Sequence, residues 1–403
     1  MKLNIIYLKC AGGCVLLGEY IRGVVVKLHL TPEQEIEFKK NYGCTRKTHN
    51  MLLNKYKAKY GDDSHKIPTK KELNQFLNES KKELPYLMDT ESTSLQQARD
   101  DLHKAFTNSA KSKRHNPPKF HSKKKTRPSF RQTVRKDKRP VDKNTLTLRK
   151  HGKVTFSTSI EYLDLLNSPD TKFNNITVFF DGLNYYASFN IETDAPEQLP
   201  LTEKHIGCDI NSNKNGWLVT SKGQKEFFDV NHENQMIKHI NRLMSKCRNK
   251  SRRWKKQEKR LQKWYNKRTN QLNDYIEKLT YQLVKEYDTI VFEKNYSTIK
   301  ILIGGEQNMI FPLSRFIQRL KDKFQLYKPE ADGVQFVKPH NTSRTCHHCG
   351  HINKELEVKT RNYVCPKCGK ILDRDVNASI NILNRWCPGD SLEKYSINRL
   401  SEK

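Results

Sequence analysis

Residues 205–210 read HIGCDI, residues 216–220 GWLVT and residues 226–230 EFFDV, three short apolar runs joined by turns rich in Asn and Gly. Apolar runs of this length between turn signals predict three strands. A long helical segment is expected from about 232 to 286. There Leu261, Trp264, Leu272, Tyr275, Ile276, Leu279 and Leu283 keep the three-four spacing of one buried stripe, with a charged Arg268 set between them. Thr289-Ile-Val-Phe-Glu293 then predicts a strand, residues 313–328 a helix and Gly333-Val-Gln-Phe-Val337 a last strand.

Three strands, helix, strand, helix, strand is the order of an RNase H-like α/β core. Acids fall where such a core would place a site. Asp209 interrupts an otherwise apolar first strand, Glu293 ends a later one, and Asp373 and Asp375 open the helical segment DRDVNASINIL. A helix N-terminus favours a carboxylate, although an acid there is also an ordinary N-cap, and Asp373 suits that role. Hydrolysis of a phosphodiester by the two-metal route gathers several carboxylates around two Mg²⁺ ions about 3.5–4 Å apart. Mg²⁺ takes hard oxygen ligands and keeps part of its water shell, so a few acids suffice.

Outward from the core, the cysteines carry the sharpest signal. Of ten, four form Cys346-x-x-Cys349 and Cys365-x-x-Cys368, with fifteen residues between the pairs and a glycine, Gly350 or Gly369, after each. That is the spacing of a four-thiolate zinc ribbon, a closed structural site with no open position for chemistry. A redox dithiol would need one pair only. His347 and His348 lie between ligands and are expected to be exposed. The other six cysteines are scattered, which fits a reducing compartment and not a secreted disulfide framework.

The chain of 403 residues carries 75 Lys and Arg against 44 Asp and Glu, a net +31. Such an excess repels itself unless a polyanion neutralises it, and nucleic acid is the commonest one. Much of it is concentrated: between Lys238 and Arg268 stand fourteen Lys or Arg and a single acid, Glu258. This segment is expected to lie along phosphates; a solvated face has the same composition. No apolar run is long enough to span a membrane, and the first twenty residues, broken by Lys9, Glu19 and a Gly pair, lack the marks of a signal peptide.

Upstream, residues 22–30 (RGVVVKLHL) predict a strand, and Thr31-Pro32-Glu33-Gln34 an N-cap with proline at N1. A helix to about Asn41 and further helices to about Ala110 follow. Residues 111–139 are basic, with Phe120 and Phe130 between the charges; they suit either a solvated linker or a groove in which rings stack on bases. Short alternating segments from 144 to 192 predict an antiparallel sheet, and Ala195-Pro196 to Pro200 a boundary.

The stretch Thr342-Ser-Arg-Thr-Cys346-x-x-Cys349-Gly350, then Cys365-Pro-x-Cys368-Gly369, then Asp373-Arg-Asp-Val-Asn-Ala-Ser-Ile-Asn-Ile382, closely resembles the TnpB (OrfB) proteins of bacterial insertion sequences, relatives of type V CRISPR effectors. Lys27-Leu-His-Leu-Thr-Pro-Glu-Gln34 resembles their opening strand and helix, Gly43-Cys-Thr-Arg46 to Asn50 a later helix motif, and Pro118-Lys-Phe120 the stretch before their sheet. The resemblance implies an RNA-guided DNA endonuclease, in which pairing with a guide RNA reads the target and the protein reads a short adjacent duplex motif. It makes Asp209, Glu293 and Asp375 the three RuvC acids that hold two Mg²⁺, and Cys346, Cys349, Cys365 and Cys368 the ligands of one structural Zn²⁺. Two positions depart from the family: Asn211 stands where Gly is frequent, and Lys294 follows Glu293 where an acid or amide is common.

The resulting expectation is an α+β multidomain protein. A β-rich, wedge-like domain (22–30 and 111–200) carries an inserted helical recognition domain (31–110). A RuvC/RNase H-like core (201–340 and 370–393) carries an inserted zinc ribbon (341–369). An extension (1–21) and a tail (394–403) flank them. Candidate nucleic-acid contacts are Arg46, Lys119 and Phe120, and in the basic segment Arg248, Arg252, Arg253 and Lys256. The expected partners are guide RNA and target DNA, with no membrane, in the bacterial cytosol at the nucleoid; no oligomeric state follows from the sequence. Two other functions fit the same fold: a guided repressor that binds without cutting, and a transposase acting without RNA.

Overall fold

Thr31 starts the first helix as its residue type predicts. Its hydroxyl accepts the Gln34 amide N–H, the Gln34 side chain accepts the Thr31 N–H in return, and Pro32 occupies the first turn. The computed structural model describes residues 19–61, 66–111, 117–135, 138–211, 216–294, 311–356 and 361–386. Most of the expected extension, the tail 394–403 and residues 387–393 of the expected core lie outside the described residues. The chain divides into two compact units, Met1–Ala195 and Pro196–Lys403.

In the first unit, β1 (Glu19–His29) begins three residues before the expected start, so residues 19–21 belong to the sheet and not to an extension. Helix α1 (Pro32–Tyr60) continues well past Asn41. Nothing breaks it before Gly61, whose φ of +84° suits only a residue without Cβ. Its length has a packing reason: Phe38 and Tyr42 enter the core of the sheet, while Leu52, Leu53 and Tyr56 pack with α2 (Lys70–Glu83) and α3 (Ser92–Lys111). The sheet adds β2 (Ser129–Thr133), β3 (Val141–Asp142), β4 (Thr145–Leu148), β5 (Gly152–Ser157), β6 (Lys172–Phe180) and β7 (Tyr185–Asp194), in the order β2-β6-β7-β1-β5-β4-β3 with every pair antiparallel. A short helix, α4 (Ile160–Asn167), follows β5. Phe130 is on the inner face of β2, 2% exposed against Phe38 and Tyr42. It is a core residue and cannot stack on bases.

The second unit is built on a five-stranded mixed sheet ordered β10-β9-β8-β11-β12. Strands β8 (His205–Ile210), β9 (Leu218–Thr220) and β10 (Lys225–Glu226) are antiparallel; β11 (Thr289–Glu293) and β12 (Gly333–Val337) run parallel to β8. The run expected at 226–230 pairs only through Glu226. The helical segment is two helices, α5 (Asn231–Ser245) and α6 (Arg252–Glu286), divided at Lys250, where φ is +62°, and restarted by the Ser251 N-cap. Arg268 is buried and donates from Nη1 to Asn234 Oδ1 at 2.6 Å, so the charge within the apolar stripe joins α6 to α5. Of that stripe Leu272, Ile276, Leu279 and Leu283 are buried, while Leu261, Trp264 and Tyr275 are half-buried.

Strand alternation separates the two faces of this sheet. Ile206, Cys208 and Ile210 of β8, with Ile290 and Phe292 of β11, pack under α6 and α7 (Leu313–Tyr327). Full burial of each such side chain contributes about 1.5–3 kcal/mol. The intervening residues Gly207, Asp209, Val291 and Glu293 therefore face the other way, where Val291 packs on Ile382 and Leu383 of α8 (Arg374–Trp386). Helix α8 approaches β8 very closely: a Cβ on Gly207 would lie 2.1 Å from the Ser379 carbonyl oxygen. A two-stranded sheet, β13 (Asn362–Val364) with β14 (Ile371–Asp373), completes the unit.

Candidate active site and metal centre

Parallel pairing of β8 with β11 sets Cys208 opposite Phe292, so the next residues, Asp209 and Glu293, leave adjacent strands at their C-terminal ends on the α8 side. Asp375, in the first turn of α8, faces the same place. Burial raises the Asp209 carboxyl most; the Asn211 amide opposes this, and the charges of Asp375 and Glu293 add to it, leaving Asp209 near 7. The structure thus brings together the three acids singled out from the sequence. Asn211, the departure from the family pattern, donates to Asp209 Oδ2 at 2.9 Å and orients it.

Asp375 is buried, and burial raises its carboxyl against the opposing Arg361 guanidinium, 3.1 Å from Oδ2. Asp373 is used differently. Its Oδ1 accepts the backbone N–H groups of Asp375 and Val376 as the cap of α8, and its Oδ2 pairs with Lys225 at 2.7 Å. Desolvation works against its ionisation, but those partners outweigh it and the carboxyl is lowered. Glu293 accepts a hydrogen bond from the Thr342 hydroxyl, and Lys294 beside it is exposed. Three converging carboxylates, one of them raised by burial and by the charges of the other two, are a donor set a divalent cation would stabilise.

The four cysteines meet. Among the described residues they are the group of metal-ligating side chains whose ligand atoms all lie within 4.8 Å of one another. The Cys346–Cys368 and Cys349–Cys365 sulfur separations are 3.7 and 3.5 Å, close to the edge of about 3.8 Å of a tetrahedron with Zn–S bonds near 2.3 Å. Each pair sits on the same turn: Gly350 N–H donates to the Cys346 carbonyl and Gly369 N–H to that of Cys365, both at 2.9 Å. Both glycines have φ near +70°, which is why glycine follows each pair.

The ribbon is anchored by residues to which the sequence reading gave no role. Asn377 and Asn381, one turn apart on α8, both donate to the Thr345 carbonyl, and Asn381 also donates to that of Thr342. Asn377 Oδ1 accepts the His347 backbone N–H and lies 3.1 Å from its Nδ1. His347 is accordingly half-buried, contrary to expectation, while His348 is exposed. The signal that could have found these asparagines was their spacing of four on a helix face otherwise apolar: buried amides need partners.

The seven candidate nucleic-acid contacts fall into two groups. Arg248, Arg252, Arg253 and Lys256 are exposed at and before the start of α6. In the first unit the Asn50 side chain bonds both the N–H and the carbonyl of His121, His49 stacks on the His121 ring at 3.6 Å, and His49 Nε2 lies 3.2 Å from the Lys119 carbonyl. This fixes the backbone beside Lys119 and Phe120, whose side chains stay exposed, with Lys57 Nζ 5.3 Å over the Phe120 ring. Arg46 is half-buried, and its charge reaches His121.

Two family profiles match the second unit and its approach: residues 188–298 match the family described as "Probable transposase", and residues 314–382 the family described as "Cas12f1-like, TNB domain". A Streptomyces pristinaespiralis protein named "Putative RNA-guided DNA endonuclease" is 27% identical over 90% of this chain and 88% of its own length. "Putative RNA-guided DNA endonuclease InsQ" of Escherichia coli K12 is 26% identical over 89% of this chain and 90% of its own. Among solved structures, a Cas12f1–sgRNA–target DNA complex aligns over 91% of this chain and 99% of its own, with 14% identity and a TM-score of 0.44. Along most of its length the chain is thus similar to proteins named as RNA-guided DNA endonucleases, and over two shorter stretches to the transposase and Cas12f1-like families.

Proposed function

We propose that this protein is an RNA-guided DNA endonuclease that hydrolyses phosphodiester bonds at Asp209, Glu293 and Asp375. The observation that carries the reading is the convergence of these three acids, from two parallel strand ends and one helix start, on a spot where the charges of Asp375 and Glu293 both oppose ionisation of Asp209. The mixed sheet is read as an RNase H-like (RuvC) core and the cysteine module as its inserted zinc ribbon; the antiparallel sheet and helices of the first unit are read as the wedge and recognition domains. Two Mg²⁺ ions bound by the acids would supply the Lewis acidity that phosphodiester hydrolysis needs. The chain's own residues do the rest. Asn211 holds Asp209 in one orientation, Asp373 sets the start of α8 and hence Asp375, and Thr342 fixes one oxygen of Glu293. One Zn²⁺ in the ribbon has a structural role. The exposed basic residues at the start of α6 suit a polyanion, and the names of the two long relatives support guide RNA and target DNA as the partners.

The test is to purify the protein from cells carrying its native locus and sequence the RNA that comes with it. One dominant RNA with a constant part and a variable end is expected. Random cellular RNA, or none, would refute guiding and favour a transposase acting on DNA alone.

A further inference from the structure

We infer that Thr342 is a positioning residue through which the zinc ribbon sets the geometry of Glu293. The inference rests on the reading of Glu293 as a metal ligand, and concerns what holds it.

Glu293 is the last residue of β11, and its carboxylate accepts a hydrogen bond from the Thr342 hydroxyl. Thr342 is itself immobilised. It is 7% exposed, its carbonyl accepts from Asn381 at 2.7 Å, and four residues on stands Cys346, buried at the heart of the cysteine cluster. The intervening backbone is held at Thr345, whose carbonyl takes two amide donors from α8 at 2.6 and 2.7 Å, and whose hydroxyl donates to Asn341 at 2.8 Å. His347, the residue after Cys346, is tied to Asn377 at 3.0 Å. The segment 341–347 is thus fixed at one end by its own cysteine turn and along its length by the helix that carries Asp375. From it a single hydroxyl reaches the acid of β11.

A hydroxyl donating to a carboxylate fixes which lone pairs face away from it, the ordinary task of a group one step behind a metal ligand. Without that bond the Glu293 side chain is free to turn about its terminal torsions, whereas Asp209 is held by Asn211, and Asp375 by the helix start and by Arg361. Glu293 is therefore the acid whose placement depends on the ribbon through Thr342. When the four sulfurs are not drawn together, the turn beginning at Cys346 loosens and Thr342 goes with it.

The experiment uses the full chain, with Thr342→Val (same shape, no hydroxyl), Thr342→Ser (hydroxyl kept), Cys365→Ser, and Asp209→Asn as the control. Binding of Mn²⁺ to the protein without nucleic acid is followed by electron paramagnetic resonance; zinc content and melting temperature are recorded alongside. Thr342→Val is expected to weaken Mn²⁺ binding about tenfold, the usual loss for a partner behind a ligand, with zinc still present at wild-type level. Thr342→Ser restores it. Cys365→Ser weakens Mn²⁺ binding in the wild-type background and weakens it less in the Thr342→Val background, because part of its effect acts through the same bond. Wild-type affinity in Thr342→Val, failure of Ser to rescue, or full additivity with Cys365→Ser overturns the inference while Asp209→Asn still abolishes binding. If Asp209→Asn binds Mn²⁺ as wild type does, the metal-site reading itself falls and takes the inference with it.

Discussion

Gly207→Ala is the smallest change that should separate the two halves of the site. The added Cβ would lie 2.1 Å from the Ser379 carbonyl oxygen, 2.8 Å from the Leu383 nitrogen and 2.9 Å from the Leu383 Cβ. Two of the three are backbone atoms of α8, so no rotamer change relieves the clash. A carbon–oxygen contact settles near about 3.3 Å, which requires α8 to withdraw from β8 by roughly 1 Å. Overpacking of this kind costs about 3 kcal/mol, at the upper end of the usual range because backbone must move, and should lower the melting temperature by roughly 6–12 °C. Asp375 rides on α8 and Asp209 on β8, two residues beyond Gly207, so the same withdrawal parts the acids. A misplacement of about 1 Å costs on the order of 100-fold in rate. The assay pairs urea unfolding with DNA cleavage at a temperature where the variant is fully folded. An alanine variant with wild-type stability and rate would show that the close approach of α8 to β8 is not what seats the acids.

Chelation of the ribbon metal, or Cys365→Ser, should release one zinc per chain and open residues 342–369 to proteolysis, because four thiolates on two short turns have little else to hold them; atomic emission and limited trypsin digestion check this. Replacing Arg252, Arg253 and Lys256 by Gln should lower nucleic-acid affinity and reduce the slope of log affinity against log salt by about 0.7–0.9 per lost contact, read by fluorescence anisotropy from 50 to 200 mM salt. His49 is buried, and desolvation with the charge of His121 lowers it to about 4. A histidine lowered in the folded state takes its proton first in the unfolded state, near 6.5. Stability is therefore whole above that value, falls as pH drops from about 6.5 to 4, and loses no more from this source below 4. The expected loss is about 3 kcal/mol, measured as the unfolding midpoint against pH, and the pH dependence should shrink by about that much in His49→Gln.

Local signals in the chain were legible where one residue type has one use. Thr31 before Pro32 marked the N-cap of α1, and the Cys-x-x-Cys-Gly pairs marked the metal cluster, because each rests on contacts within a few residues. The acids were legible for a related reason: Asp209 and Glu293 break apolar strands at their ends, and parallel pairing of β8 with β11 brings such ends together. What was hidden depended on distant partners. Nothing near Asn41 shows that α1 must continue to serve a second core, and Phe130 looks like an interleaved aromatic until β2 is seen to turn it inward. The split between α5 and α6 carries neither Gly nor Pro; it depends on a left-handed Lys250 and the Ser251 cap. Arg361 and Thr342 touch Asp375 and Glu293 across 14 and 49 residues, and no periodicity reports such pairs.

The measurement that bears most directly on the central claim is cleavage by the protein purified with its own RNA. A duplex matching the variable end of that RNA is incubated with Mg²⁺ and either wild-type protein or Asp209→Ala. Wild type is expected to cut the matched duplex and spare a scrambled one, while Asp209→Ala binds the matched duplex and leaves it whole. Equal cutting by the two proteins, or cutting indifferent to the match, would contradict it.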